Sequence, residues 1–271
     1  MSSHADTAED RWWGRPLAET RWQLELARLL VDPVLWGHDV PRGDGRPVVL
    51  MPGFLAGDQT LLVLAVWLRR IGYRPFACGF VANLECSDRA ADRVERRVAE
   101  VHRRHGRRVA LVGHSRGGHY ARAVACRRPE LVSHAVSMGA GLREMLAVSY
   151  PTEAAVAAVR GIQLRTGGAR SPRCLTERCD CPFGRDFTQP FPSERVRLTS
   201  IYSRGDGVVR WQAAAPTDAD CVEVSGSHVG LIFNRKAYRA LATVLATPEL
   251  APTASGTAPQ TTPTQNRTTF T

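Results

Sequence analysis

The sequence predicts an α/β fold in which a mostly parallel sheet of about six strands is flanked by helices. Short apolar runs alternate with amphipathic stretches along residues 16–248, which is the pattern of parallel strands connected by helices. The length of 271 residues suits one large α/β domain and is too short for two ordinary domains with linkers. A composition that is 44% hydrophobic and 23% charged excludes an entirely disordered chain.

Each predicted element follows from a local pattern. The first helix, over 16–30, should end before Pro33. In the arginine-rich stretch 93–108, valines at helical spacing share one face, and Ser87 or Asp88 is expected to cap this helix. The predicted strands are residues 48–51, 74–80, 109–112, 131–138, 196–202 and 221–224. The other predicted helices are residues 60–71, the stretch from the cap to 105, 119–128, 152–164 and 234–246.

Three segments lie outside this alternation. Residues 1–15 are expected to form a flexible tail, and residues 249–271, rich in Thr, Pro and Ala, a disordered one. A single domain is thus predicted over 16–248. Residues 139–195 separate the predicted fourth and fifth strands, and an insertion of that length commonly forms a lid over a functional site.

The net charge of +10 comes almost entirely from arginine, since Lys236 is the one lysine in the chain. This ratio is typical of a genome's codon bias, and no nucleic-acid recognition motif accompanies it. No apolar run approaches the length of a membrane-spanning helix, and the first residues lack the features of a secretory signal. A cytoplasmic location is expected, and peripheral contact of the first helix and the arginines with anionic lipid stays open. Oligomeric state is not encoded in any of these patterns.

The segment VALVGHSRGGHYARAVA, residues 109–125, carries the strongest chemical signal. It contains the pattern G-x-S-x-G, with an apolar strand before it and a helix after it. In that context the serine occupies a strained strand-to-helix turn with its hydroxyl exposed, and side chains at the two glycine positions would clash. The pattern consists of Gly113, His114, Ser115, Arg116 and Gly117, and Ser115 is the candidate nucleophile.

A serine hydroxyl needs a base to accept its proton, and the base needs a carboxylate to orient it. After a turn of this kind, the order along the chain is serine, acid, histidine. His228 follows the predicted sixth strand and is the candidate base, whereas His134 lies within a strand. Asp206 follows the predicted fifth strand and is the candidate acid. Its weaker rivals are Asp186, Asp218 and Asp220.

Acyl transfer also needs two backbone N–H donors for the developing oxyanion. Arg116, which follows the candidate nucleophile, is expected to supply one. Phe54 is expected to supply the other, from the loop after the first predicted strand, where Pro52 has no N–H and Gly53 allows the backbone to turn inward. The side chains expected to form an apolar substrate site are Phe54, Leu55, Met138, Leu142, Met145 and Leu146.

Three blocks of sequence resemble the α/β-hydrolase superfamily, in particular its small bacterial, actinobacterial-type lipase/esterase-like members. They are VVLMPGFLAGD, LVGHSRGG, and SIYSRGDGVV followed by GSHVG, and the resemblance covers about residues 45–247. It implies the α/β-hydrolase fold, with Ser115, Asp206 and His228 at the carboxyl edge of the sheet and Phe54 and Arg116 as oxyanion donors. The chain differs from larger relatives in having the helix 16–30 where they have an antiparallel hairpin.

Together these features predict a serine hydrolase that cleaves carboxylic esters through a Ser–His–Asp triad and an acyl-enzyme. Hydrophobic or lipid-like esters are favoured, the expected partner is a small ester or lipid, and no metal or cofactor is expected. An acyltransferase or thioesterase with the same triad stays open, as does a non-catalytic binding protein, because this fold hosts many functions.

The seven cysteines form an odd set, which argues against a complete disulfide framework. Cys174, Cys179 and Cys181 lie together in the predicted insertion. Three states stay open for them: a zinc site completed by Cys86, a histidine or an aspartate; a disulfide within the lid; or free thiols.

Overall fold

Six strands form one sheet in the order β2-β1-β3-β4-β5-β6, and every neighbouring pair is parallel. The predicted α/β fold is therefore confirmed. The computed structural model describes residues 12–251, so that most of the two predicted tails, 1–15 and 249–271, lies outside the described residues. The strands are β1 (Pro47–Met51), β2 (Arg74–Ala77), β3 (Val109–His114), β4 (Val132–Met138), β5 (Arg197–Tyr202) and β6 (Asp220–Glu223).

Helices cover both faces of the sheet. The α-helices are α1 (Pro16–Glu19), α2 (Trp22–Leu30), α3 (Leu62–Arg70), α4 (Ser87–His105), α5 (Arg116–Arg127), α6 (Tyr150–Arg165), α7 (Pro182–Thr188), α8 (Trp211–Ala214) and α9 (Arg235–Ala246). Within residues 12–251, no helix combines the length and the apolar character needed to cross a lipid bilayer.

Alternation along the buried strands divides the core in two. Val49 of β1 faces one cluster with α4 and α5, whereas its neighbour Val48 faces a second cluster with α3 and α9. In the second cluster, the buried rings of Trp67 and Tyr238 pack with their centroids 4.5 Å apart. Because both faces are covered, β1, β3 and β4 are buried along their whole length, and their carboxyl ends form a rigid edge.

The predicted helix 16–30 is two helices, α1 and α2, separated at Thr20 and Arg21. The Thr20 hydroxyl donates to the Leu17 carbonyl at 2.7 Å, which supplies a partner to an acceptor at the end of α1. Before α1, the Arg15 N–H donates to the Gly207 carbonyl at 3.0 Å. The break therefore allows α1 to follow the carboxyl edge of the sheet while α2 packs beside it.

Neither Ser87 nor Asp88 caps α4, contrary to the sequence prediction, because the N-cap residue is Cys86. The helix begins at Ser87 after Cys86, and Asp88 is fully buried. Its carboxylate accepts the Phe183 N–H at 2.9 Å, forms an ion pair with Arg170 and lies 3.7 Å from Arg127. The carboxylate thus joins α4 to the chain between β4 and β5.

That connecting segment contains α6, which was predicted, and α7, which was not. α6 buries Val156 alone among its residues, whereas α7 buries Phe183 and Phe187 against α5. The Tyr120 and Phe183 rings meet edge-on at 5.9 Å. α7 is therefore the anchored part of the insertion, and α6 is the more loosely packed part.

We expect Asp88→Ala to lower the free energy of unfolding by about 3 kcal/mol, because removing one partner of a buried ionic network leaves the others uncompensated. Urea unfolding followed by circular dichroism measures this change. Asp220→Ala, at an exposed carboxylate of β6, is the matched control and should change stability by less than about 0.5 kcal/mol. Equal effects of the two substitutions would contradict the anchoring role.

Candidate active site

Ser115 occupies a strained turn between β3 and α5, with φ 51° and ψ −125°. A Cβ atom at Gly113 would lie 2.1 Å from the backbone of Gly117, and one at Gly117 would lie 2.2 Å from the Met51 carbonyl oxygen. Both positions therefore require glycine. The Ser115 N–H donates to the Met138 carbonyl at 2.8 Å, which fixes the turn to the end of β4.

The loop after β1 lies against this turn. A Cβ atom at Gly53 would lie 3.1 Å from Ser115 Cβ. Within residues 12–251, neither the Phe54 N–H nor the Arg116 N–H donates to a protein acceptor. The Arg116 N–H is free because this residue opens α5, where the first amides have no partner in the helix. Two backbone donors next to the serine are thus available to a ligand.

The Arg116 side chain, given no role by the sequence, holds the loop in place. Its buried guanidinium donates to the carbonyls of Asn83 at 3.0 Å and Glu85 at 2.6 Å, and to Ser87 Oγ at 3.1 Å. Asn83 in turn donates through its side-chain amide to the Pro52 carbonyl at 2.9 Å. The loop that carries Phe54 is therefore fixed by hydrogen bonds from one buried cation and one buried amide.

His228 and Asp206 are paired at the same edge of the sheet. His228 Nδ1 and Asp206 Oδ2 are 2.7 Å apart, and both side chains are buried. The other oxygen of Asp206 accepts the N–H groups of Val208 at 2.8 Å and Val209 at 2.7 Å. These three contacts orient the carboxylate and leave His228 Nε2 as the free nitrogen of the ring.

The rival carboxylates have other partners. Asp218 pairs with Arg122 at 2.7 Å, Asp186 pairs with Arg127, and Asp220 is exposed on β6. None of them contacts His228.

A hydrogen bond between Ser115 and His228 is not formed in this structure, since Ser115 Oγ has no hydrogen-bond partner within the described residues. Gly139, which follows β4, nevertheless shows how closely the Asp206–His228 pair approaches the Ser115 turn. A Cβ atom there would lie 3.3 Å from both Asp206 Oδ2 and His228 Nδ1, directly after the Met138 carbonyl that holds the Ser115 amide. Such contacts are commonly long in free enzymes and shorten when substrate binds.

The pKa values of the two histidines of the site, His228 and His114, are shifted in opposite directions. Burial has the largest single effect on the pKa of His228 and lowers it. The negative charges of Asp206 and then Glu19 raise it by more, so the pKa of His228 is raised. Burial, followed by the positive charge of His228, lowers the pKa of His114 to about 3. The neutral His114 ring donates from Nε2 to the His228 carbonyl at 3.0 Å, and so positions the base without sharing its proton.

Two carboxylates of the N-terminal helices support the site. Glu19 of α1 accepts the N–H groups of Gly207, His228 and Val229, each at 2.9 Å. It thereby bridges the loop of the candidate acid and the loop of the candidate base. Glu25 of α2 is buried and accepts both the N–H and the hydroxyl of Ser227 at 2.9 Å. Sequence reasoning missed both, because their partners lie about 200 positions away along the chain.

A mostly apolar cleft opens beside Ser115. Its apolar walls are formed by Phe54, Ala140, Met145, Leu146, Val148, Val156, Leu175, Phe183, Val208 and Val209. Of the side chains expected there, Leu55 is exposed outside the cleft, and Met138 and Leu142 are buried in the core on opposite faces of the sheet. The insertion supplies residues that the sequence did not suggest, and it thus forms much of the cleft wall.

His119 adds a polar group to this cleft. Burial, and then the charge of Arg116, lowers the pKa of its ring to about 3. Its Nε2 atom has no hydrogen-bond partner within the described residues. The ring is therefore neutral near pH 7.

We expect His228 to titrate with a pKa above the ordinary value of about 6.5, and to titrate below it in Asp206→Asn. In the variant, burial would act on the ring without an opposing charge. NMR of labelled histidine side chains measures both values. Because a raised histidine pKa stabilises the fold at low pH, that contribution is complete below about 6.5 and is lost as pH rises through the folded value.

The control is Asp218→Asn, which removes the carboxylate paired with Arg122 and should leave the His228 titration unchanged. Identical curves for Asp206→Asn and the unmodified chain would show that this carboxylate does not set the charge of the ring.

The chain is similar in structure to solved lipases and esterases. The mature Bacillus licheniformis lipase BlEst2 aligns with a TM-score of 0.55 and 14% identity over 76% of this chain and 94% of that chain. For a monoacylglycerol lipase of Paleococcus ferrophilus, the TM-score is 0.52 and the identity 14%, over 76% and 96% of the two chains. The Bacillus subtilis carboxylesterase CesB gives 0.50 and 13%, over 85% and 99%. No protein-family model matches the sequence. The likeness at this identity is a likeness of fold, and the chain has the α/β-hydrolase fold.

Proposed function

We propose that the protein is a serine hydrolase that cleaves carboxylic esters through an acyl-enzyme. The observation that carries this proposal is the buried hydrogen bond between Asp206 and His228, at the sheet edge that also holds the strained Ser115 turn. The similarity in fold to lipases and esterases supports the same reaction class.

Each residue has a role set by its chemistry. His228 Nε2 accepts the hydroxyl proton as Ser115 Oγ attacks the ester carbonyl carbon. The oxyanion that forms accepts hydrogen bonds from the Phe54 and Arg116 amides. As the ester C–O bond breaks, the imidazolium returns the proton to the leaving alkoxide. His228 then takes a proton from water as the water attacks the acyl-enzyme carbonyl. It passes this proton to Ser115 Oγ as the acyl C–O bond breaks and the acid leaves. Asp206 stabilises the imidazolium in both steps.

The cleft favours a hydrophobic or lipid-like acyl group. Its walls are mostly aliphatic or aromatic, and burial of each methylene contributes up to about 0.8 kcal/mol. A charged or sugar-like acyl group would lose its hydration there without compensation.

The first test compares the chain and Ser115→Ala on p-nitrophenyl esters from acetate to palmitate. We expect kcat to fall roughly 10⁴-fold or more in the variant, because the attacking oxygen is lost. We also expect kcat/KM to rise from acetate to longer acyl chains, by up to about fourfold per methylene until the cleft is filled. Ser193→Ala, at an exposed loop position, is the matched control.

Turnover that survives in Ser115→Ala would overturn the proposal. If neither protein turns over any ester, a fluorophosphonate probe decides: labelling at Ser115 indicates a narrow natural substrate, and no labelling favours a non-catalytic binding protein. Ester product formed from an added alcohol would instead indicate an acyltransferase.

A second test concerns Glu19 as a positioning residue. In Glu19→Gln, the side chain loses one of the two oxygens that accept N–H groups from the acid and base loops. We expect kcat to fall about 10-fold to 100-fold, because a small displacement of the base is costly. The acid limb of kcat/KM should also move to lower pH, since the charge of Glu19 raises the pKa of His228.

The shift in the pH profile separates this role from a general loss of stability. Glu100→Gln, at a carboxylate on the surface of α4, should change neither kcat nor the profile. A pH profile that does not move in Glu19→Gln would contradict the electrostatic part of the role.

A further inference from the structure

Four cysteines meet where the insertion contacts the start of α4. The sulfurs of Cys86, Cys174 and Cys181 lie within 4.8 Å of one another, and all three side chains are buried. The half-buried Cys179 interacts with the thiols of both Cys174 and Cys181. These four are separated by up to 95 positions in sequence, and the fold alone brings Cys86 to the other three.

We propose that this cluster is a zinc site in which four thiolates hold one Zn²⁺ ion. In a regular tetrahedron with Zn–S distances of about 2.3 Å, neighbouring sulfurs are about 3.8 Å apart. The three mutually close sulfurs are thus within about 1 Å of the spacing required, and Cys179 interacts with two of them. A donor set made only of sulfur selects zinc over the hard cations magnesium and calcium.

The backbone around the cluster suits thiolate ligands. The backbone amides of Asp88 and Arg170 interact with the Cys86 sulfur, and the Ser87 amide interacts with that of Cys174. Hydrogen bonds of this kind orient metal-binding sulfurs and stabilise their negative charge.

The positive charge of Arg116 offsets part of the remaining charge. A zinc ion with four thiolates carries a net charge of −2. The Arg116 guanidinium donates to Glu85 and Ser87 on either side of Cys86, and Arg170 pairs with Asp88 next to the cluster. Asp88, a carboxylate that acts on Cys181, is already paired with Arg127 and Arg170.

A zinc ion here would act on the cleft rather than on the ester. Leu175, Thr176 and Cys179 line the cleft beside Ser115, and they lie between the ligands Cys174 and Cys181. Zinc would cross-link this wall to the start of α4, in a stretch of the insertion that contains no helix or strand. The proposal is independent of the proposed ester hydrolysis.

Metal content tests the site. The full chain, purified without chelators and dialysed, should contain about one zinc per chain by plasma mass spectrometry. Cys86→Ser and Cys174→Ser should each contain at least roughly fivefold less zinc, because three thiolates bind weakly without the fourth. The matched controls are Cys126→Ser and Cys221→Ser, at cysteines outside the cluster, which should keep the metal.

A second measurement uses the unmodified chain, because a misfolded variant would lose zinc whether or not the substituted cysteine is a ligand. Titration with an organomercurial reagent should release the zinc as the cluster thiols react. Chelation should lower the melting temperature, and replacement by cobalt should give the absorption bands of a tetrahedral cobalt thiolate.

Two outcomes would overturn the proposal. One is a chain that keeps no zinc or cobalt after the metal is added and excess is removed by dialysis. In that case the reaction of all seven thiols of the unfolded chain with iodoacetamide would show that oxidation is not the cause. The other outcome is that the chain, unfolded without reductant, has fewer than seven reactive thiols. Its mass would then be lower by about 2 Da for each missing pair, because the cluster would contain disulfides instead of zinc ligands.

Discussion

The candidate site depends on how closely three backbone segments approach beneath Ser115. The turn after β3 holds a serine at positive φ, which costs of order 1–3 kcal/mol. It persists because Gly117 lies directly against the Met51 carbonyl and the Ser115 amide is held by Met138. Both contacts come from strands buried on two faces, so the sheet offsets the strain. The position of Ser115 beside the cleft is thus a consequence of packing in β1, β3 and β4.

A second constraint lies in the placement of charge. The chain has a net charge of +10, yet the charged groups that contact His228 are the carboxylates of Asp206 and Glu19. Arginine acts one layer further out, where Arg116 fixes the oxyanion loop through hydrogen bonds to carbonyls. Anions therefore surround the base, which must become positive, and a cation lies behind the amides that would face an oxyanion.

The insertion forms part of the cleft wall and is attached to α4 and α5. Asp88 joins it to α4 through ionic contacts, and α7 packs aromatic rings on α5. The cysteine cluster lies at the same junction. The start of the insertion is also joined to the loop of Asp206, since the Ser149 N–H donates to the Val208 carbonyl at 2.7 Å. The cleft wall and the acid loop are therefore structurally connected.

The sequence by itself determined the sheet and the turn at Ser115, and it predicted Asp206 and His228 as candidates. Each of these depends on a pattern within a few residues or on order along the chain. The structure confirms the fold, and the catalytic roles stay a prediction. Only the tertiary structure decided the break after α1, the position of α7, the bridge from Glu19 and the removal of Met138 and Leu142 from the cleft. It also brought Cys86 to the insertion. Such contacts join residues that are distant in sequence, so they leave no local periodicity from which they could be predicted.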